Sequence, residues 1–476
     1  MVMKIRFFLN MKLVNFAQCF YFNKKKIMRE VLIVGFAFLI FSIMGCQQSH
    51  NPNWEQDVAN ADYIHRSMKK LTDVIVHDII SPPVAARDYA YPSIAAYEAL
   101  LPAFDSHVSY AGQLNGLTTI PPPDASKKYC FPLASVHAFL KTSESFIFDV
   151  TQIEDFRTEL YLEMDSVINM PAEVKKRSIE YGEMVAAHIL DWAKKDNYAE
   201  SRSFSKYEIP FDDPSKWKPT PPDFMDGIEP HWRTIRPFVL KKPDQFKPKA
   251  PTEFSTKKGS QFYEETMEVY EIGKNKTPEQ IEIAKFWDCN PFVSTHKGHM
   301  MFATKKISPG GHWIGITQIA AKRSNSNMME TIEAYSLVSI SLLDAFISCW
   351  DEKYRSNLVR PETIINTFID DNWLPLLQTP PFPEHTSGHS VISSASALAL
   401  TKLYGEDFAY TDDVEVEYGL KARSFTSFIQ ASEEAAVSRL YGGIHYRPAI
   451  DDGVTQGRNV GEYVLENVNT RKVARK

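Results

Sequence analysis

Pro383-Glu384-His385-Thr386-Ser387-Gly388-His389-Ser390 runs directly into Val391-Ile392-Ser393-Ser394-Ala395-Ser396-Ala397-Leu398. The second half is apolar and built of small residues, and it reads as a helix, with Val391, Ile392, Ala395, Ala397 and Leu398 along it. Thr386 or Ser387 suits the N-cap. Gly388 lets backbone approach a ligand closely. The free N–H groups at such a helix start form an anion site, and His389 sits beside it. Taken alone, the same residues also describe an ordinary cap with a surface histidine.

Working outward, the surrounding chain is helical in pattern. Residues 56–101 repeat apolar side chains at helical spacing, broken at Ser81-Pro82-Pro83. Helical patterns return around 133–168 and 172–195, then at 260–272, 277–287, 313–322 and 328–356. Further stretches follow His389 to Tyr404, cover about 413–440 and close at about 453–467. Period-2 alternation is almost absent, so the expected class is all-α, a multi-helix bundle with one continuous core. Residues 209–253 differ, holding ten prolines and no sustained period. Proline removes donors and blocks helix interiors, so an irregular connector is expected there. Trp217, Phe224, Trp232, Phe238 and Phe246 within it argue for a segment packed against the body.

Two more segments carry cations. In Lys353-Tyr-Arg-Ser-Asn-Leu-Val-Arg360-Pro361, Lys353 and Arg360 lie seven apart, so they can share one helix face, and Pro361 ends the helix. By itself this could be the solvated basic end of a helix. In Ser438-Arg439-Leu-Tyr-Gly442-Gly443-Ile-His445, a helix delivers Arg439, the glycine pair ends it, and the turn brings His445 back alongside. Read jointly, the three segments gather Lys353, Arg360 and Arg439, and three like charges need an anion between them. Arginine suits a tetrahedral oxyanion through its planar fork, and lysine adds a mobile point charge.

Lys-x6-Arg-Pro, Ser-Gly-His and Ser-Arg-x5-His, in this order, resemble the phosphatidic-acid-phosphatase type 2 superfamily. That superfamily includes acid phosphatases and vanadium-dependent haloperoxidases on one helical fold. Pro82-Pro83-Val-Ala-Ala-Arg87, Trp217-x-Pro219-Thr-Pro221-Pro222, Ile283-Ala-Lys-Phe-Trp287-Asp288, Gly311-His312-Trp313 and Asp344-x5-Trp350-Asp351 look like the haloperoxidase branch. The likeness spans roughly residues 56–467. It implies that His445 binds the vanadium of vanadate, that Lys353, Arg360 and Arg439 hold its equatorial oxygens, and that Ser387 and the Gly388 N–H add hydrogen bonds. It implies that His389 is the acid–base group and that Phe382 and His385 lie around the halide or peroxide pocket. Two departures stand out. Thr386 replaces a proline common in members. Ala449 stands where phosphatases place an aspartate, which leaves Asp451 or Asp452 as candidates to orient His445.

The implied reaction is oxidation of halide, iodide or bromide favoured, by hydrogen peroxide with vanadate as cofactor. Phosphate has the same shape, so an acid phosphatase using His445 as nucleophile and His389 as acid is the alternative. A non-catalytic oxyanion-binding surface lipoprotein is a third, which would have no need of His389.

The chain ends frame where this chemistry would occur. Residues 1–45 read as an export signal: Lys24, Lys25, Lys26 and Arg29 precede the apolar run Val31 to Met44, and Ile43-Met44-Gly45-Cys46 resembles a bacterial lipobox. The run is shorter than the roughly 20 residues of a spanning helix, which favours a lipidated Cys46 on the outer membrane over an anchor helix. Residues 1–27 add nothing to this signal, which makes Met28 a candidate start of translation. Beyond the signal, 46–250 would form an N-terminal helical region with the connector, and 251–476 the site-bearing region. The signal carries seven Lys/Arg against one Asp/Glu, so the remainder has a net charge of −12 against −6 for the whole. Such a chain suits neither nucleic acid nor anionic membrane surfaces, and makes a local cationic cluster conspicuous. Cys130, Cys289 and Cys349 lie in no metal-like spacing and read as buried small apolar residues.

Overall fold

The computed structural model describes residue 51 and residues 53–472. The export signal and Cys46 lie outside the described residues. The described residues from Asn53 onward form one compact unit.

The first half is a helical layer. It comprises α1 (Trp54–Val58), α2 (Asp62–His77), α3 (Pro82–Leu100), α4 (Phe131–Ser143), α5 (Val150–Ile168), α6 (Ala172–Ala193) and the single turn α7 (Tyr198–Ser201). Pro82 and Pro83 open α3 at its first turn, where a missing N–H costs nothing. Helix α3 is buried all round, packed on α4 and on the long helix described below.

The proline-rich connector is irregular apart from a 3-10 turn at Trp232–Thr234. It is packed as expected through Trp217, Trp232 and Phe238, all fully buried, whereas Phe224 is exposed. Asp344 anchors it by accepting the N–H groups of Phe238, Val239 and Leu240 at 2.6–2.9 Å. Residues 215–217 trade backbone bonds with 357–359: Trp217 N to Asn357 O, 3.0 Å, and Val359 N to Ser215 O, 3.0 Å.

The second half begins with α8 (Gln261–Lys274) and α9 (Pro278–Phe286) and an antiparallel hairpin, β1 (Phe292–Lys297) with β2 (Met300–Lys305). Then come α10 (Pro309–Arg323), α11 (Met328–Ser356), α12 (Pro361–Phe368) and α13 (Gly388–Tyr404). A second small hairpin, β3 (Tyr410–Asp412) with β4 (Arg423–Phe425), precedes α14 (Phe428–Tyr441) and α15 (Arg447–Asn467). The class is all-α, with these two hairpins as the departures. The stretch 413–440 is therefore not one helix: a 3-10 turn ends at Gly419 (φ 88°), and β4 intervenes before α14.

Helix α11 is the axis. A reciprocal capping box between Asn327 and Glu330 starts it. It is long and apolar enough to cross a membrane, yet that stretch is wholly buried inside the protein, as the core helix of a bundle. It packs on α3, α10, α13 and α15. Helices α13 and α15 approach closely, because Gly453, Gly457 and Gly461 put a bare stripe of α15 on α13. A methyl at Gly457 would stand 2.1 Å from the Val391 carbonyl oxygen. This contact fixes the start of α13, at Ser387, against the start of α15, just after His445.

Candidate active site

Four chain segments meet at the site. Lys353 comes from the last turn of α11. Arg360 is not on that helix: α11 ends at Ser356, Asn357 turns left-handed (φ 50°), and Arg360 is the extended residue before Pro361 that starts α12. The two cations converge through this reversal, not through a shared helix face. Ser387 caps α13, its Oγ accepting from Ser390 N at 3.3 Å. Arg439 rides on α14, whose chain turns at Gly442-Gly443 (Gly443 φ 79°) to deliver His445.

All three cations are buried and hydrogen-bonded to backbone carbonyls. Lys353 Nζ donates to the carbonyls of Pro383 (3.1 Å), Glu384 (3.1 Å) and Thr386 (2.5 Å), so it staples the loop before α13. Arg360 donates to Phe382 O (2.9 Å), Ile444 O (2.8 Å) and His445 Nε2 (3.2 Å). Arg439 Nη1 donates to Trp287 O at 2.7 Å, while its Nε has no partner. Burial pushes Lys353 down to about 8, with Arg360 adding to the depression. Burial, then Arg439, pushes Arg360 down to about 10. A cluster so disposed binds an anion readily, because the anion relieves mutual repulsion in a low dielectric.

His445 donates its Nδ1–H to Glu384 Oε1 at 2.8 Å, and the same oxygen accepts Tyr446 N at 2.9 Å. The bond fixes the tautomer and leaves Nε2 as the lone pair, which accepts from Arg360 at 3.2 Å. The orienting carboxylate is therefore Glu384, in place of Asp451 or Asp452. Asp451 is exposed, and Asp452 lies 4.0 Å from His385. Burial lifts Glu384 to about 7, against the pull of Arg360 and Lys353. Burial, then Arg360, Lys353 and Arg439, holds His445 well below the ordinary histidine value.

His389 sits at the start of α13 with Nε2 shielded from solvent and unpartnered. Burial, then Arg439 and His312, holds it well below the ordinary value, so it is a neutral base at rest. A methyl on Gly388 would meet only Trp350, at 3.7 Å, so the glycine leaves an open cradle beside the helix start.

A largely apolar cavity of about 340 Å³ reaches these groups. Phe292, Phe346, Trp350 and Phe382 line it, with Gly388, His389, Arg439 and His445. Phe382 packs its face toward Lys353 (5.0 Å) and Arg360 (5.1 Å). His385 does not line the cavity: its ring is buried elsewhere, with Nε2 against Lys249 O at 3.2 Å.

Three participants were not anticipated. Glu384 stood in the quoted motif as its only acid, which was the available signal. Asp288 lines the cavity, pairs with Lys306 at 2.9 Å and acts electrostatically on Arg439. Cys289 is not a mere apolar filler, since its thiol contacts His312 and Glu415.

The family model described as the VCPO second helical-bundle domain matches residues 333–472. Among solved structures, the chain is similar to a bacterial vanadium-dependent iodoperoxidase at 48% identity and a TM-score of 0.83, covering 88% of this chain and 99% of that one. It is also similar to a holo-type bacterial vanadium-dependent chloroperoxidase, at 18% identity, TM-score 0.63, covering 82% and 93%. The apo-type chloroperoxidase matches at 16% identity and TM-score 0.62, covering 82% and 96%. At those identities the two chloroperoxidases show the fold alone. No curated protein matches the sequence.

Proposed function

The chain belongs to the vanadium-dependent haloperoxidases, and from that premise we propose that it oxidises iodide first and bromide second with hydrogen peroxide. The iodide preference is supported by the 48% identity to an iodoperoxidase over nearly its whole length.

The observation that carries the site assignment is His445, locked by Glu384 at Nδ1 and turning Nε2, an acceptor held only by Arg360, toward three buried cations. The residues fit vanadate: an oxyanion matches the cationic donors, Arg439 Nε is buried beside the cavity without a partner, and the Gly388 cradle leaves room for one. His445 Nε2 would ligate vanadium, with Lys353, Arg360 and Arg439 on the oxygens and Ser387 and the Gly388 N–H completing the ring. When bound, vanadate supplies a Lewis-acidic centre that activates hydrogen peroxide toward attack by halide. Arg360 would give up its bond to His445 Nε2, and Lys353 one of its three carbonyl bonds, each turning an N–H to an oxygen. His389, neutral and with Nε2 unpartnered, would accept the peroxide proton there. Trp350, Phe382, Phe346 and Phe292 keep the cavity dry, which strengthens every charge interaction within it.

The test is halide oxidation by protein stripped of oxyanion, with and without orthovanadate, beside phosphate-ester hydrolysis in the same preparation. Vanadate-dependent iodide oxidation, lost in His445→Ala, is expected. Ester hydrolysis inhibited by vanadate, with no halide oxidation, would overturn the assignment. We further propose that residues 1–45 export the enzyme and that Cys46 carries its lipid anchor on the outer membrane. Cys46→Ala should abolish labelling by a fatty-acid probe, and persistent labelling would refute this.

A further inference from the structure

Behind the cavity wall lies a second cluster that the haloperoxidase chemistry does not use. Cys289, at the end of the loop after α9, His312 on α10 and Glu415 in the turn after β3 meet in the core, each at most 2% exposed. Their donor atoms form a nearly equilateral triangle. Cys289 Sγ lies 3.3 Å from His312 Nδ1 and 3.4 Å from Glu415 Oε1, and those two lie 3.3 Å apart. A tetrahedral ion with bonds of about 2.3 Å to sulfur and about 2.0 Å to nitrogen and oxygen sets its ligands about 3.3–3.6 Å apart, so the triangle is one face of such a site.

Two independent observations point to a cation there. First, Glu415 Oε2 is buried and has no hydrogen-bond partner, leaving a second oxygen of the same carboxylate unspent. Second, negative charge is concentrated there. Asp412 and Glu415 are both buried, and among the described residues each has His312 as its partner within ion-pair distance. Lys306 acts on Glu415 from farther off and is paired with Asp288 at 2.9 Å. Two buried carboxylates on one imidazole are costly without further positive charge. The outer contacts also match. His312 Nε2 bonds Asp412 Oδ2 at 2.8 Å, and Asp412 Oδ1 in turn accepts Val414 N at 3.1 Å. That is the carboxylate–histidine arrangement that aims Nδ1 at a metal and raises its basicity.

We propose that Cys289, His312 and Glu415 form a site for one divalent cation of the zinc class, with Asp412 orienting His312. A thiolate and an imidazole select against calcium and magnesium, and a set of anionic donors excludes vanadate and phosphate. Cys289 also lines the active-site cavity, which gives a metal a route in. The site's role is to pin the segment 287–289. Trp287 stacks on His312 at 4.7 Å between ring centres, and its carbonyl holds Arg439. The metal thus fixes one wall of the oxyanion cage without joining the reaction.

The experiment uses the purified protein. Metal analysis should find about one zinc per chain besides any vanadium. After chelation, Co(II) should give tetrahedral d–d bands and a thiolate-to-cobalt charge-transfer band. Cys289→Ala should lose the charge-transfer band, and Cys130→Ala should keep it. Near-ultraviolet circular dichroism checks that each variant is folded. If folded wild-type protein carries no zinc and gives no thiolate–cobalt band, the proposal fails and His312 stands as a buried imidazolium. A band that survives Cys289→Ala also overturns it. The wild-type cobalt spectrum decides the matter even if a variant does not fold.

Discussion

Gly388→Ala adds one methyl group at the first residue of α13, where its nearest neighbour is Trp350 at 3.7 Å. That is ordinary contact. Gly388 is not among the residues with positive φ, so alanine meets no backbone penalty. Alanine in a helix is favoured over glycine by up to about 1 kcal/mol, so the variant should melt at or slightly above the wild-type temperature. The cost falls on the oxyanion, because the methyl occupies the cradle beside the helix N–H groups. Losing one charge-assisted hydrogen bond costs about 1.5–3 kcal/mol. Vanadate affinity should therefore drop about tenfold to a hundredfold. The assay titrates stripped protein with orthovanadate, following recovered iodide oxidation, with thermal melts on the same samples. Wild-type vanadate affinity in a stable Gly388→Ala protein would refute the placement of the oxyanion at this helix start. A marked fall in melting temperature would refute the packing argument.

Gly457→Ala is the opposite case. Its methyl would stand 2.1 Å from Val391 O and 2.8 Å from Val391 C, both backbone atoms. Overpacking of this kind costs about 1–3 kcal/mol, more than helix propensity returns, so denaturant unfolding should show a clear loss of stability, and an unchanged midpoint would refute the close approach. Asp344→Asn places an amide N–H₂ among three backbone donors, leaving at least one N–H of 238–240 unmatched. The expected loss is about 1–3 kcal/mol, read by chemical denaturation. Burial also lifts Asp344 to about 6 from 3.8, so the folded state holds the extra proton in that window. Stability from this group falls as pH rises from about 4 to about 6, by about 3 kcal/mol, and is flat above. Asp344→Asn should remove that slope, and an identical pH profile would contradict it. Lys353, lowered to about 8, keeps its charge below that pH and loses it above. Vanadate affinity should then fall with a limiting slope of about tenfold per pH unit above about 8. Stability from the same group rises between about 8 and 10.5, where the unfolded chain binds more protons. Affinity flat across pH 8 would remove Lys353 from the cage.

The elements that the sequence displayed are those governed by local chemistry. Helix α11 runs from 328 to 356 as its periodicity required, and Ser387 caps α13 as its hydroxyl allows. Lys353, Arg360, His389, Arg439 and His445 were legible because each sits in a short motif. What was hidden depends on contacts across the chain. Glu384 reaches His445 across 61 residues, and no local spacing announces that partner. Cys289, His312 and Glu415 come from three separate elements, so their cysteine looked like filler. The hairpin Phe292–Lys305 lies largely at the surface, where no buried face imposes a two-residue period. The stretch 413–440 breaks because Asp412 is tied to His312 and Gly419 takes a left-handed turn, neither of which apolar spacing reports.

The seam between the proline-rich connector and the loops around Arg360 has a consequence for modularity. Every side chain assigned to hold the oxyanion lies beyond position 350. Yet the strand that presents Arg360 is bonded to residues 215–217, Ile228 N bonds Pro381 O, and the indole of Trp350 donates to Ile228 O. The segment that owns the chemistry thus borrows its roof from sequence more than a hundred residues earlier. Cut at residue 250, it would keep all its motifs and lose the partners that set Arg360 and Trp350 in place. Such a half is not a portable cassette. Duplication, exchange or transplantation of this site requires both parts of the chain together.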